Sequence, residues 1–397
     1  MSDTSPPVYG GIGIGELLQL FLDGRGRTKS ELAVLTGLSR NTISARVDPL
    51  VSAKLLVPAG AEASSGGRPP AKIAFNADAG AVLAIDLGAT HATVAVTNLA
   101  AEVLDLHSMP IDIAAGPEKV LDTVFDVGAG LLERVGDDHR LVGVGIGLPG
   151  PVEHSTSRPI NPPIMPGWDR FDVAGHVGRR FPVPALVDND VNILALGEHA
   201  LSWPQAEDLI FVKVATGLGA GIITGGRLQR GAQGIAGDIG HVQVPFSRDS
   251  PRLPEDERTL ANLASGLAIA TELRSHGVDA HTSSDVVKLV QAGDPRAIEA
   301  TRQAGRELGE VLSTLVNTLN PAVIVIGGSV ARAGEHLLAG VREIVYRRSI
   351  PLATQNLLVV PSQGGERAGV LGAAILVTQH VLSPSSVEAL VAGYAAL

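Results

Sequence analysis

Apolar residues in the first eighty positions recur at helical spacing, and beyond them they run in short strand-like blocks broken by glycine. After Gly15, the residues Leu17, Leu18, Phe21 and Leu22 form one helix stripe that Gly24 ends. Thr28, Lys29, Ser30 and Glu31 read as a capping box, in which the Thr28 hydroxyl and the Glu31 carboxylate accept from otherwise unpaired backbone N–H groups. The short helix it opens carries Leu32, Ala33 and Leu35. Gly37 supplies a turn, and Ser39 is an N-cap for a third helix from Arg40 to about Ala53, with Ile43, Val47, Leu50 and Val51 on one face. Pro49 is expected to kink that helix or end it early. Leu55 to Val57 and Lys72 to Phe75 then flank a turn running from Ser64 to Pro70, the pattern of a two-stranded wing with Arg68 at its tip.

From Ala81 the period changes. Ala81 to Thr90 and Ala92 to Thr97 read as a β-hairpin whose turn holds Asp86, Gly88 and Thr90. Backbone N–H groups in such a turn can cradle phosphate while an aspartate orients Mg²⁺ through water, although Gly and Asp are also ordinary turn residues. A strand at Leu141 to Ile146 enters a Gly-Pro turn, Gly147 to Pro151. Another, Ala185 to Val187, enters Asp188-Asn189-Asp190-Val191-Asn192 ahead of a helix expected over Ile193 to His199. Phe211 to Ala215 leads into Thr216-Gly217-Leu218-Gly219-Ala220-Gly221, a second candidate phosphate loop. A long helix with stripe Ala304, Leu308, Val311, Leu312, Leu315 and Leu319 stops at Asn320-Pro321, and a buried strand, Ala322 to Ile326, then meets Gly327-Gly328. Glycine loops at several strand ends, with helices between, predict an α/β protein whose ligands sit at strand ends.

At 397 residues the chain has room for two or three domains. It has no Cys, so disulfides, thiolate nucleophiles and cysteine zinc sites are excluded. Neither a signal-peptide pattern nor a bilayer-length apolar run is present, so a cytoplasmic location without membrane attachment is expected. The net charge of −10 is unevenly spread. Residues 1–75 hold eight Lys and Arg against six Asp and Glu, a net +2, which leaves −12 on the remainder. A short helix, a glycine turn and a Ser-capped second helix make a helix-turn-helix. Its candidate DNA-facing residues are Ser39, Arg40, Asn41, Thr42, Ser44 and Arg46, with Arg68 reaching a minor groove. Arg can read guanine edges or hold phosphate, and Asn can read adenine; helix pairs of this kind also serve as protein-interaction modules.

Taken in order, these motifs resemble the ROK family (repressors, open reading frames, kinases) from about Gly13 to Ala374. Asp86 to Thr90 looks like its first phosphate motif, Gly145 to Pro151 like its glycine-proline turn, and Asn161 to Trp168 like its segment from Asn to Gly-Trp. Asp188 to Asn192 with Gly197-Glu198 resembles the catalytic-aspartate segment, Thr216 to Gly221 the second phosphate motif, and Gly225 through His241 the segment leading to the sugar and zinc site. The resemblance implies a winged helix-turn-helix over residues 1–78 and, over 79–397, a two-lobed actin-like (ribonuclease H-like) sugar-kinase fold with its cleft near 188–241. It implies sugar contacts from Asn161, Asn189, Asp190, Asp238 and His241, with Asp190 as catalytic base if kinase activity is retained. Nucleotide phosphates would lie against Asp86, Gly88, Thr90, Thr216, Gly217, Gly219, Gly327 and Gly328.

The chain departs from the family's kinases in four places. The E-x-G-H motif reads Asp238-Ile239-Gly240-His241, one methylene shorter on the acid. Pro245 to Arg258 replaces the cysteine zinc motif, Ala261 stands where a second sugar-binding Glu is usual, and His91 stands where Lys is common. The expectation is therefore a sugar-responsive regulator, a repressor that binds operator DNA as a homodimer or higher homo-oligomer and takes a small carbohydrate or sugar phosphate as effector. No metal is assigned, and Mg-ATP is a cofactor only if kinase activity persists. An active ATP-dependent hexose kinase with a DNA-binding head, and a body reduced to a dimerisation scaffold, remain open at this point.

Overall fold

The computed structural model describes residues 12–61, 71–136, 139–244, 253–254 and 257–395. Arg68, the wing tip and most of the stretch from Pro245 to Arg258 lie outside the described residues. The head is built from α1 (Ile14–Gln19), α2 (Lys29–Thr36), α3 (Arg40–Ser52) and an antiparallel pair, β1 (Leu56–Ala61) with β2 (Ala71–Phe75). Local chemistry sets the boundaries of α2 and α3 as expected, whereas α1 ends at Gln19 and the chain turns through Leu20 to Asp23 before Gly24. The Thr28 hydroxyl accepts from Glu31 N–H and the Glu31 carboxylate from Thr28 N–H, Gly37 is left-handed at φ 72°, and Ser39 caps α3. Pro49 does not stop α3 early, since the helix runs on to Ser52. The proline stands in the last turn, where its missing N–H leaves one carbonyl unpaired, and its own carbonyl still accepts from Ala53 N–H. The apolar stripes are narrower than the pattern predicts. Leu17, Leu18, Phe21, Leu32, Ile43, Val47 and Leu50 are buried, while Leu22, Leu35 and Val51 are exposed, because helices this short turn only a few positions inward.

The first lobe contains β3 (Ala81–Leu87), β4 (His91–Asn98), β5 (Val103–Pro110), α4 (Pro117–Val135), β6 (Leu141–Leu148), the short pair β7 (Val152–Glu153) and β8 (Arg158–Pro159), α5 (Val173–Arg180) and β9 (Ala185–Asn189). Its main sheet has the order β5-β4-β3-β6-β9, antiparallel on the β5 side and parallel on the β9 side. A helix, α6 (Asp190–Ser202), leaves β9 for the second lobe. It begins three residues earlier than the sequence pattern predicts, because the Asn189 side chain accepts from Val191 N–H and caps it there.

The second lobe repeats the plan. It runs through β10 (Leu209–Val214), β11 (Leu218–Thr224), β12 (Arg227–Gln229), α7 (Leu260–Ala264), α8 (Gly266–Ser275), α9 (Ser283–Gln291), α10 (Pro295–Leu319), β13 (Val323–Gly327), α11 (Glu335–Arg348), α12 (Pro351–Thr354) and β14 (Leu358–Pro361). Its sheet order, β12-β11-β10-β13-β14, matches the first in strand direction, antiparallel on one side of β10 and parallel on the other. Asn320, left-handed at φ 48°, ends α10 where the Asn-Pro pair predicts.

Two helices cross between the lobes. α6 leaves the first sheet and packs on β10 and β11, and α13 (Arg367–Val381) leaves the second sheet and packs on β3 and β6. They lie against each other so closely that a Cβ on Gly372 would stand 1.7 Å from the Ile193 carbonyl oxygen, a contact only glycine allows. The last helix, α14 (Pro384–Ala395), returns to the head and packs on α1. Leu17, Leu18, Phe21, Ile43 and Leu50 of the head join Val377, Leu382, Val387 and Val391 in one continuous apolar core, and the Gln19 side-chain amide donates to the Leu382 carbonyl at 2.7 Å. Among the described residues no single helix is long and apolar enough to cross a membrane.

Candidate functional site

Asp190 opens α6 at the junction of the lobes and is 5% exposed. Its carboxylate is already paired. The Lys213 ammonium, projecting from β10 in the other lobe, donates to it in a mostly buried ion pair. Asp86, at the end of β3, lies close enough for both charges to act on it. Burial pushes its carboxyl up to about 7, with Lys213 opposing the rise and Asp190 adding to it. For Lys213, burial disfavours the charged form, but Asp190 and Asp86 outweigh it and the ammonium is held above its ordinary value. Burial, together with Lys213 and Arg332, pushes the His91 imidazole down, so it stays neutral at pH 7. Asp86 rests directly on α13, where a Cβ on Gly369 would stand 2.0 Å from its Oδ2.

Neighbouring groups are also already partnered. Asp188, buried at the end of β9, accepts from Arg230 Nε at 2.7 Å and Asn192 Nδ2 at 2.7 Å. Asn189 caps α6 with Oδ1 and donates through Nδ2 to the Gly150 carbonyl at 2.7 Å, so both ends of its amide hold the glycine-proline turn against the helix. Glu198, fully buried on α6, accepts from Ser362 Oγ at 2.7 Å and from the backbone N–H groups of Gln363 and Gly364 at 2.9 Å each. That carboxylate fixes the loop leading into α13. Lys213 and Arg230 are named by no motif, and Glu198, though part of the Gly197-Glu198 motif, is assigned no contact by it. Lys213 sits in an apolar strand, Phe211 to Val214, where a lone charge is a visible signal, but nothing in the pattern names its partner across the lobes.

The remaining predicted residues divide. Asp238 and His241 face each other across the short turn Ile239–His241, with both Asp238 oxygens 2.9 Å from His241 Nδ1, and both are exposed. Asn161 is exposed and left-handed at φ 42°, its N–H donating to Asp169 at 2.8 Å. Gly88 and Thr90 form the β3–β4 turn, and Thr216 and Gly217 the β10–β11 turn, with Gly219 on β11 beside Val191 of α6. Gly327 ends β13, and Gly328 follows at φ 90° against Val214.

In the head, Arg40 and Asn41 stand exposed at the start of α3. Ser39 and Thr42 are engaged in the cap, their hydroxyls 2.8 Å apart. Ser44 and Arg46 are half-buried. Ser44 accepts from Lys29 of α2 at 3.1 Å, and Arg46, one turn along from Ile43, has Nη1 buried without an acceptor among the described residues.

Two five-stranded sheets of matching topology, joined by crossed helices over a charged cleft, define an actin-like kinase fold, here carrying a winged helix-turn-helix. The ROK family model matches residues 82–380, and the protein belongs to the ROK family. It is 30% identical to a putative xylose repressor of Caldicellulosiruptor sp. (strain Rt8B.4), over 92% of this chain and 95% of that one. Among solved structures it is similar in fold to a ROK family transcriptional regulator, a homolog of the E. coli MLC protein, with a TM-score of 0.79 and 24% identity over 96% of this chain and 98% of the other. It is also similar to a ROK family glucokinase from Streptomyces griseus in complex with glucose and AMPPNP, with a TM-score of 0.64 and 27% identity over 76% of this chain and 100% of that one.

Proposed function

We propose that this protein is a sugar-responsive transcriptional regulator of the ROK family, a repressor whose head, residues 1–78, binds operator DNA. Its body, residues 79–397, takes a small carbohydrate or sugar phosphate in the cleft. The observation that carries the reading is the apolar core shared by the head and the C-terminal helices. α13 touches Asp86 in the cleft through Gly369 and continues into α14, which grips α1, so cleft and DNA-reading helix are joined by packed matter. A ligand shifts the head only by binding one of its placements more tightly than another. Xylose repressor is the name borne by a relative from Caldicellulosiruptor bescii that this chain matches nearly end to end.

In this reading Arg40 and Asn41 touch bases or phosphates, while Ser39 and Thr42 shape the start of the helix. Asp190, Asn189, Asp238, His241 and Asn161 form the sugar side of the cleft, and the glycine turns at Gly88, Gly217 and Gly327-Gly328, with Asp86, Thr90, Thr216 and Gly219, form the anion side. The protein works in the cytoplasm as a homodimer, whose two-fold symmetry suits a palindromic operator. Titration of the purified protein onto duplex DNA from upstream of its own gene tests this. Binding is expected to weaken steeply with salt, to fall at least ~10-fold in Arg40→Ala, and to be released by one member of a sugar panel. Absence of binding at low salt overturns the reading.

A second reading, an ATP-dependent hexose kinase with a DNA-binding head, is favoured by Asp190 at the mouth of α6 between two glycine turns. ATP consumption that requires both a hexose and Asp190, and is abolished in Asp190→Asn, would establish it.

A further inference from the structure

A kinase of this fold needs the carboxylates of its cleft for Mg²⁺ and for the proton of the attacking hydroxyl. The residues present do not fit that use. Asp190 already holds a cation, the Lys213 ammonium, and Asp86 lies within reach of the same charge. Both partners are largely withdrawn from water, with side chains 7% exposed for Asp190 and 20% for Lys213, so the pair is not a surface contact that salt would screen away. Arg332 adds a second positive charge felt at His91. Among the described residues no three His, Asp or Glu side chains converge as a metal site.

We infer that Lys213 is the resident cation of the cleft, standing between the lobes where a divalent ion would have to sit. It closes the Asp86–Asp190 site to Mg²⁺ and leaves a cleft that admits a sugar without metal or nucleotide. The inference rests on the regulator reading and deepens it. Lys213 comes from β10 of the second lobe and Asp190 from α6 at the end of the first sheet, so the ion pair ties the lobes together as a bound Mg-nucleotide would otherwise do. The ammonium is bonded to Oδ2 of Asp190, which leaves Oδ1 to accept a hydrogen bond from a sugar hydroxyl.

Mn²⁺ titration followed by electron paramagnetic resonance tests this on the full-length protein, with Asp190→Asn, Lys213→Ala, Lys213→Gln and Lys213→Ala/Asp190→Asn beside the unmutated chain. The unmutated chain is expected to show no Mn²⁺ site that depends on Asp190. Lys213→Ala or Lys213→Gln is expected to gain one, at least ~10-fold tighter than any on the unmutated protein, and the double variant to lose it. A Mn²⁺ site on the unmutated chain that disappears in Asp190→Asn overturns the inference, and that arm decides even if the Lys213 variants do not fold. Folded Lys213 variants that gain no site also overturn it. Operator binding is measured on the same samples. Its absence throughout would count against the regulator reading alone, since the Mn²⁺ result concerns only the cleft.

Discussion

At Asp86 a single burial decision makes stability depend on pH. An exposed aspartate titrates near ~3.9, whereas this carboxyl is pushed up to about 7 because it sits against α13 with little water to hydrate its charge. The folded protein therefore binds a proton at Asp86 between about pH 4 and pH 7 that the unfolded chain has already released. Its contribution to stability is full below about pH 4 and is lost as the pH rises to about 7. Asp86→Asn is expected to flatten this slope, so that its melting temperature falls less than that of the parent between pH 5 and pH 8, as differential scanning fluorimetry would record. A slope unchanged by the substitution would place its cause elsewhere. The sequence makes Asp86 visible as a turn acid before Gly88, but the burial that raises its carboxyl, and the lesser opposing charges of Lys213 and Asp190, come from segments more than a hundred residues away along the chain.

Among the elements, the crossed pair α6 and α13 governs how the lobes meet. Gly372 lies against the backbone of Ile193, and Gly197 against Ala368, where a Cβ would be 1.8 Å from the carbonyl oxygen. Gly372→Ala must force the helices apart, at a cost of roughly 1 to 3 kcal/mol or more, and is expected to lower the denaturant midpoint and weaken sugar binding together. An unaltered midpoint, read by far-UV circular dichroism, would show that the contact can relax freely. The elements themselves are largely legible. Thr28, Gly37, Ser39 and Asn320 mark helix ends through local hydrogen bonds and left-handed backbone that depend on nearest neighbours alone. The start of α6 is misread because Asn189, the last residue of β9, also serves as the N-cap of α6, so strand and helix meet with no residue between them.

For the molecule as a whole, the seam between α1 and α14 connects the head to the body. Gly15 lies so close to Pro384 that a Cβ would stand 2.1 Å from its carbonyl oxygen, and Gln19 is bonded to Leu382 at 2.7 Å. Gly15→Ala is expected to lift α1 from α14. DNA affinity measured without sugar should stay within a few-fold of the parent, while release by the effector sugar falls at least ~5-fold, the size of a typical coupling energy. A sugar response equal to that of the parent, measured by fluorescence anisotropy on operator DNA, would rule out this route from cleft to head.

The sequence by itself determined the winged head, the α/β body, the strand-end turns and the family, because capping, turn chemistry and hydrophobic period act over a few residues and leave their marks in order along the chain. It also placed Asp190 just ahead of a helix and Arg40 and Asn41 on an outward face. Only the tertiary structure decided that the two lobes share one topology, that α6 and α13 cross between them, and that the head shares a core with the C-terminal helices. It alone brought Lys213 to Asp190 and left Ser44 and Arg46 half-buried. Those outcomes depend on which distant side chains share a buried volume, and a charge or a glycine in a linear sequence carries no record of the partner that burial will set against it.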